Sequence, residues 1–126
     1  MLTTKSSSAI IAVTDTDRAR HFYKDVLGLD LIDDGMGGVM VFRTGATQLV
    51  VYPSEFAGTN KANAAVFDAG DDLETIVADL ESKGVAFERY PNIEGMVLDG
   101  NIHRAGKMAL VWIKDPDGNI LHLNRM

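Results

Sequence analysis

The sequence predicts an α+β fold in which two βαβββ modules lie side by side and curl a mixed sheet around a shared cavity. Three observations indicate this fold. A strand, an amphipathic helix and three further strands occur twice in the 126 residues. A helix-starting aspartate and a helix-ending glycine recur at matching positions, Asp15 with Asp71 and Gly28 with Gly84. Each unit alone has too few elements to bury its sheet, so the two units are expected to pack as one domain over residues 1–126.

The first module covers residues 8–53. Residues 8–14 form an apolar, β-branched strand. Asp15 then offers a carboxylate to the free N–H groups of a helix start, and Gly28 ends that helix. The apolar face of the helix has helical spacing: Ala19, Phe22, Tyr23, Val26 and Leu27. Three strands follow over residues 29–32, 39–43 and 47–52. The glycine-rich turn between the first two lacks the Lys-Ser/Thr of a phosphate loop.

Residues 54–62 are small and polar and form the predicted linker to the second module, 63–125. A strand over 64–69 leads into a helix whose face is Leu73, Ile76, Val77 and Leu80. Gly84 ends this helix, and a strand over 85–90 follows. The two helix faces match best at a shorter repeat than the flanking aspartates and glycines do, so we expect a small slip within one helix.

A long loop, 91–106, precedes the final hairpin of residues 108–114 and 120–124. The hairpin turn is Asp115-Pro116-Asp117-Gly118, in which proline pre-sets φ and glycine accepts a positive φ. Alternation along the last strand points His122 the same way as Ile120 and Asn124.

Composition excludes several function classes. The net charge is −6, without a Lys/Arg cluster, so we expect no nucleic-acid partner. The chain contains no run of eighteen apolar residues and begins without a signal-peptide pattern, so we expect no membrane partner and a cytoplasmic location. The absence of cysteine excludes disulfides, thiolate nucleophiles and thiolate metal ligands.

Two motifs together resemble the vicinal oxygen chelate superfamily, which contains glyoxalase I, bleomycin-resistance and fosfomycin-resistance proteins, and extradiol dioxygenases. The first motif is Asp15 followed by residues 22–29, Phe-Tyr-Lys-Asp-Val-Leu-Gly-Leu. The second is residues 112–121, Trp-Ile-Lys-Asp-Pro-Asp-Gly-Asn-Ile-Leu. The resemblance extends from Ser8 onward and implies the fold described above. The chain looks most similar to small members of the superfamily without an assigned reaction. The motifs indicate the fold rather than an activity, because one fold hosts many chemistries.

The resemblance also implies where a divalent metal would be held, by one residue from each of four strands. These positions fall on Ser8, on Leu49 or Val50, on Ala64 or Ala65, and on His122. Only His122 is a good ligand, since aliphatic side chains cannot coordinate a metal and a serine hydroxyl does so poorly. Gln48 is nearby but is expected to point opposite to Leu49. We therefore expect no stoichiometric metal and no cofactor, and no metal-dependent enediolate or extradiol chemistry.

The candidate ligand-binding residues are Ser8, Tyr52, His103, Arg104, Trp112 and His122. Ser8 and His122 occupy ligand positions, which face inward in this fold. Tyr52 shares their face if Val50 is the second position and points outward if Leu49 is. Trp112 could lie on either face of the final hairpin, and His103 with Arg104 could cover the site from the long loop. His122 could equally be a core histidine bonded to the backbone.

Three hypotheses follow from these residues. The first is metal-independent binding of a small organic molecule in the cavity. The second is a lyase- or dioxygenase-type enzyme that uses no metal or an unusual arrangement built on His122 and His103. The third is a module that binds a protein partner. We also expect a homodimer, because superfamily members commonly pair modules and an open sheet exposes its edges.

Overall fold

The computed structural model describes residues 1–126 except for the side chain of Met36. The first module contains these elements: β1 (Ala9–Val13), α1 (Thr16–Arg20), a π-helical segment (His21–Val26), β2 (Asp30–Asp34), β3 (Met40–Thr44) and β4 (Thr47–Pro53). The second module contains β5 (Asn63–Asp68), α2 (Leu73–Ser82), β6 (Ala86–Glu88), β7 (Val97–Asp99), β8 (Ile102–Ala105), β9 (Met108–Lys114) and β10 (Ile120–Arg125).

Each module builds its own mixed sheet, which confirms the predicted α+β class. The first sheet has the order β1-β4-β3-β2, with β1 parallel to β4. The second has the order β5-β10-β9-β8-β7, with β5 parallel to β10. β6 pairs with β9 beside β8, on a different stretch of β9. The edge strands β1 and β5 contact each other, so the two sheets meet along these edges.

The long loop expected over residues 91–106 is wrong in its second half. Residues 97–105 form the hairpin β7–β8, and β8 extends the second sheet by pairing with β9. The hairpin bends at Gly100, which has a positive φ of 61°. The second module is thus a βαβββ unit with an additional hairpin, and His103 and Arg104 are strand residues.

The first helix begins as the sequence predicts and then changes its hydrogen bonding. The Asp15 carboxylate accepts the N–H of Arg18 at 3.0 Å, as an N-cap residue does. The backbone N–H of Leu27 then donates to the Phe22 carbonyl, five residues back. α2 has no such segment, so the two helices differ in internal register, in agreement with a slip within one helix.

The core lies between the helices and one face of each sheet. In the first sheet, Leu49 and Val51 of β4 are buried against α1. Val50 and Tyr52, which alternate with them, are half-buried on the opposite face. The second sheet repeats this alternation. The buried residues facing α2 are Val111, Ile113, Leu121 and Leu123. We call the sheet faces opposite to the helices the open face.

In the part of the chain that the structure describes, no helix is long and apolar enough to cross a membrane.

The final hairpin turn joins the two modules through buried hydrogen bonds. The Tyr23 hydroxyl donates to Asp115 Oδ2 at 2.8 Å. Asn119 Nδ2 donates to the same oxygen at 2.8 Å and to the carbonyl of Ala12 in β1 at 2.7 Å. Asp115 Oδ1 accepts the backbone N–H groups of Asp117 and Asn119. We call Tyr23, Asp115, Asp117 and Asn119 the turn network.

Asp117 extends the turn network to the end of β1. Its carboxylate accepts the backbone N–H of Thr14 at 3.2 Å and the Thr14 hydroxyl at 2.6 Å. Arg18 pairs with the same carboxylate at 3.1 Å. The two motifs that carry the family resemblance therefore bind each other. Their residues hold the modules together, and this is why they indicate the fold rather than a reaction.

Candidate functional site

The open face of the second sheet carries a cluster of aromatic rings. His122 and Trp112 lie directly opposite each other on β10 and β9, and their rings stack with centroids 4.8 Å apart and planes 25° apart. The rings of Tyr90 and His103 meet the indole edge-on, at centroid distances of 5.2 and 4.9 Å. We call Tyr90, His103, Trp112 and His122 the aromatic cluster. The structure thereby places Trp112 on the same face as His122, which the sequence left open.

His122 has one ring nitrogen engaged with the backbone and one that is weakly contacted. Nδ1 lies 3.0 Å from the carbonyl oxygen of Val111, which can only accept, so Nδ1 carries the proton. Nε2 is then a hydrogen-bond acceptor, and the Asn124 amide lies at a long 3.4 Å from it. Burial lowers the pKa of His122, which outweighs the bond to Val111. The imidazole is therefore neutral at pH 7 and offers an acceptor, not a positive charge.

His103 is a structural member of the cluster. It is 1% exposed, Nδ1 lies 3.1 Å from the Leu110 carbonyl, and Nε2 accepts the backbone N–H of Tyr90 at 2.9 Å. Both ring nitrogens are thus engaged. The expected position above the site is wrong for His103, because β8 buries it within the sheet. Any contact of His103 with a ligand stays a prediction.

Arg104 lies away from the aromatic cluster. Strand alternation turns it to the other face of β8, where it pairs with Glu74 of α2 at 3.1 Å and with Asp99 at 2.9 Å. The expected cover over the open face is therefore wrong for Arg104. The sequence could not show this, because the direction of Arg104 depends on the β7–β8 hairpin.

Ser8 directly precedes β1, and Tyr52 lies on β4 of the same module. Ser8 lines a cavity of about 670 Å³ at the meeting point of β1 and β5, together with Gln48, Arg43, Asp30 and others. Tyr52 lies on the open face, opposite Ala12 in β1. Of Ser8, Tyr52, Trp112 and His122, which the sequence predicts to share one pocket, Ser8 alone lines this cavity, and the shared pocket stays a prediction. Tyr52 shares a face of β4 with Val50, as the sequence predicts for the case in which Val50 is the second metal-ligand position.

The residues present do not fit the metal site that the fold implies. Leu49 is 2% exposed in the core, so the second position on the open face is Val50. The third position offers only alanine, and Ser8 supplies only a hydroxyl. Among the side chains that the structure describes, no three His, Asp or Glu groups lie close enough to share a metal ion. The donor set is one imidazole, which is too few for a divalent cation.

Tyr90 is the member of the cluster that sequence reasoning missed as a site residue. Aromatic residues on strands usually pack in the core, so its residue type did not indicate a site. The structure leaves it 37% exposed, with its ring against Trp112. Its position two residues after Glu88, which pairs directly with Trp112, puts it on the same face. The sequence carries no local signal of that pairing.

A protein-family model of the Glyoxalase/Bleomycin resistance protein/Dioxygenase superfamily matches residues 5–123. The chain belongs to this superfamily. A comparison with curated proteins gives no match.

Several solved structures share the fold with this chain at low sequence identity. A glyoxalase family protein from Enterococcus faecalis is 17% identical with a TM-score of 0.72, over 99% of this chain and 100% of the other. A lactoylglutathione lyase from Agrobacterium tumefaciens is 20% identical with a TM-score of 0.70, over 96% and 93%. The fosfomycin resistance protein FosX from Listeria monocytogenes is 12% identical with a TM-score of 0.70, over 96% and 90%. These likenesses show the fold alone.

Proposed function

We propose that this member of the superfamily binds a small organic molecule on its open face without a metal ion. The observation that carries the proposal is the stacked pair of His122 and Trp112. It combines a flat, half-buried aromatic surface with one directed acceptor nitrogen. Ligand sites commonly have this composition, an apolar wall with a few polar groups that fix orientation.

The chemistry of the pair suggests a class of ligand. An indole face favours a planar or apolar group, and the acceptor at His122 Nε2 favours a hydrogen-bond donor on that group. The His122 ring is neutral at pH 7, so it gives no advantage to an anion. An aromatic or heterocyclic molecule with an N–H or O–H donor fits best.

Metal independence is supported by the side chains at the four positions where the resemblance implies metal ligands. A serine, a valine and an alanine accompany His122, and together they provide too few lone pairs to hold a divalent cation. His103 cannot make up the set without giving up its bonds to Tyr90 and Leu110.

The proposal can be tested by a thermal-shift screen of aromatic and heterocyclic compounds, followed by titration of the hits. We expect His122→Ala to weaken binding by about 1–3 kcal/mol, which is the cost of a lost hydrogen bond with its desolvation. The matched control is His21→Ala, which removes an exposed histidine on the first helix. Unchanged affinity in His122→Ala, or equal losses in both variants, would contradict the proposal.

A lyase- or dioxygenase-type reaction is a second proposal, suggested by the superfamily and by the similarity to a lactoylglutathione lyase. The engaged ring nitrogens of His103 favour binding over a two-histidine site. Elemental analysis of untagged protein, combined with a turnover screen with and without added divalent metals, separates the two. About one metal ion per chain together with turnover would favour the enzyme.

A further inference from the structure

The cavity that Ser8 lines is separate from the aromatic cluster, none of whose residues contributes to its walls. Its volume of about 670 Å³ falls within the usual range of small-molecule sites. Both modules build it, through the residues just before β2, the hairpin of β3 and β4, and residues 65–68 of β5. The ligand site proposed above does not use this cavity.

Three polar side chains form a row across the first sheet at this cavity. Asp30 of β2 lies directly opposite Arg43 of β3, and Arg43 lies directly opposite Gln48 of β4. Strand alternation turns Arg43 away from the buried Phe42, and it turns Gln48 away from the buried Leu49. The row therefore lies on the open face, where a molecule in the cavity can reach all three side chains.

The lining carries charges of both signs. Among its described residues, Arg43 is the basic side chain, and Asp30 and Asp68 are the acidic ones. Neither Arg43 nor Asp30 takes part in an ion pair with another side chain that the structure describes. Asp68 stands on the β5 side of the cavity, and its Oδ1 accepts the backbone N–H of Gly70. The guanidinium of Arg43 and the carboxylate of Asp30 are thus both available to a ligand.

The part of the cavity formed by β5 is mainly apolar. Ala65, Val66 and Phe67 line it there, and Leu29 lines it from the segment before β2. Hydrocarbon placed against these side chains is removed from water, which is favourable. The cavity therefore combines one row of charges with an apolar wall.

We propose that this cavity binds a small zwitterion with a hydrocarbon side chain, as in an α-amino acid of the leucine kind. The ligand carboxylate pairs with the Arg43 guanidinium and accepts a hydrogen bond from the Gln48 amide. The ligand ammonium group pairs with Asp30, and the hydrocarbon lies against the β5 wall. A simple carboxylate would be repelled by Asp30 and a simple amine by Arg43, so the cavity favours a molecule that carries both charges.

Leucine, 4-methylpentanoate and 3-methylbutylamine are matched probes. They share a branched hydrocarbon chain and carry both charges, the carboxylate alone and the ammonium group alone. We expect calorimetric titration to show leucine binding at least about tenfold more tightly than either analogue, the effect of one hydrogen bond to a charged group. Amide NMR shifts should move in residues 28–30, 43–49 and 65–68. Equal affinities for the three probes, no leucine binding in the millimolar range, or shifts confined to the aromatic cluster would overturn the proposal.

Two variants assign the two charges. Arg43→Gln should weaken leucine binding at least several-fold without weakening the binding of 3-methylbutylamine. Asp30→Asn should weaken leucine binding similarly without weakening the binding of 4-methylpentanoate. Circular dichroism checks that both variants fold. A variant that folds and binds leucine as the native chain does would overturn the role of its charge.

Lys61→Gln and Asp33→Asn are the matched controls, because each removes one exposed charge of the same sign outside the lining. Both should bind leucine as the native chain does. Losses in the controls as large as those in Arg43→Gln and Asp30→Asn would indicate a general charge effect and overturn the inference. Such a failure leaves the ligand site at the aromatic cluster intact, because the two sites share no residue.

Discussion

The hydroxyl of Tyr23 shows how a single atom can be required by two modules at once. It is completely buried and donates to a carboxylate that also holds Asn119. Loss of the hydroxyl leaves Asp115 Oδ2 with one donor fewer in a buried setting. The loss lowers the free energy of unfolding, because the buried oxygen cannot form a hydrogen bond with water instead.

We expect Tyr23→Phe to lower the free energy of unfolding by about 1–3 kcal/mol, the usual cost of leaving a buried polar group short of a partner. Urea denaturation monitored by circular dichroism measures this. Tyr52→Phe is the control, since Tyr52 is half-buried on the open face and should cost less than about 0.5 kcal/mol. Similar losses of unfolding free energy in the two variants would show that the Tyr23 hydroxyl stabilises the fold no more than the Tyr52 hydroxyl does.

The same hydroxyl predicts a loss of stability in alkali. Burial, and then the neighbouring Asp115 carboxylate, raises the pKa of Tyr23 well above its ordinary 10.0. Above pH 10 the unfolded chain releases this proton while the folded chain keeps it, so stability must fall as the pH rises. Unfolding free energies between pH 9 and 11 should decline more steeply in the native chain than in Tyr23→Phe. Parallel curves would contradict the assignment.

The sequence predicted the hairpin of Trp112 and His122 but not the faces of all the candidate residues. The tight turn indicated the two strands, whereas the face of Trp112 was left open until the register of β9 and β10 placed it opposite His122. The directions of His103 and Arg104 depend on a hairpin with weak strand signals and a long intervening segment. Tertiary pairing with β9 decided those directions, and no local pattern encodes it.

At the scale of elements, Glu74 connects α2 to the second sheet. Its carboxylate accepts from Arg125 of β10 at 2.7 Å and from Arg104 of β8 at 3.1 Å. The hydrogen bond from Arg125 is the largest of the contributions that hold the pKa of Glu74 at about 2, against an ordinary 4.5. One surface carboxylate therefore ties a helix to two strands, including the strand of the unexpected hairpin.

The pKa of Glu74 predicts where acid weakens this connection. Because the folded pKa lies below the unfolded one, the contribution is fully present above pH 4.5 and is lost as the pH falls to about 2. In Glu74→Gln, the thermal midpoint should therefore fall less between pH 5 and pH 2 than it does in the native chain. Glu55→Gln, an exposed glutamate in the linker, is the control and should follow the native curve.

The linker also contacts the turn network, at Gly58. This residue has a φ of +73°, and a Cβ built on it would overlap the backbone carbonyl oxygen of Asp117. Gly58→Ala should thus destabilise the chain by more than the roughly 1–2 kcal/mol that a left-handed backbone conformation alone costs. Gly45→Ala is the matched control, because Gly45 has a φ of +54° and open space around it. Equal losses in urea denaturation would show that the contact with Asp117 is unimportant.

At the scale of the whole molecule, the open face exposes apolar side chains where the sheets meet. Ile10 of β1 is 60% exposed and Val66 of β5 is 63% exposed. We propose that a second copy of the chain covers this apolar region.

Sedimentation of the native chain at micromolar concentration should therefore give a dimer, and Ile10→Asp should give a folded monomer because it places a charge in a desolvated contact. Val97→Asp is the control, since Val97 is 70% exposed on the β7–β8 hairpin at the far edge of the second sheet. A native monomer, or a dimer unaffected by Ile10→Asp, would contradict this arrangement.

The fold was more predictable from the sequence than the site, because periodic patterns of apolar and capping residues indicate the fold. Repeated helix faces, capping aspartates and a tight turn are local signals, and together they indicated both modules. The location of the cavities depends on how the edges of β1 and β5 meet. That contact joins residues far apart in sequence. The cavity that Ser8 lines includes no residue of the aromatic cluster, although the resemblance implies a metal-ligand position for both Ser8 and His122.

The turn network has a consequence for biosynthesis. Tyr23 and Asp115 are 92 positions apart, so a ribosome makes the whole first module before it reaches the carboxylate that this module requires. Until then, the Tyr23 hydroxyl and the Ala12 carbonyl lack their final partners, and long-range closure of this kind is slow. The nascent first module is therefore a candidate for chaperone contact, and its core is completed only when the last hairpin has emerged.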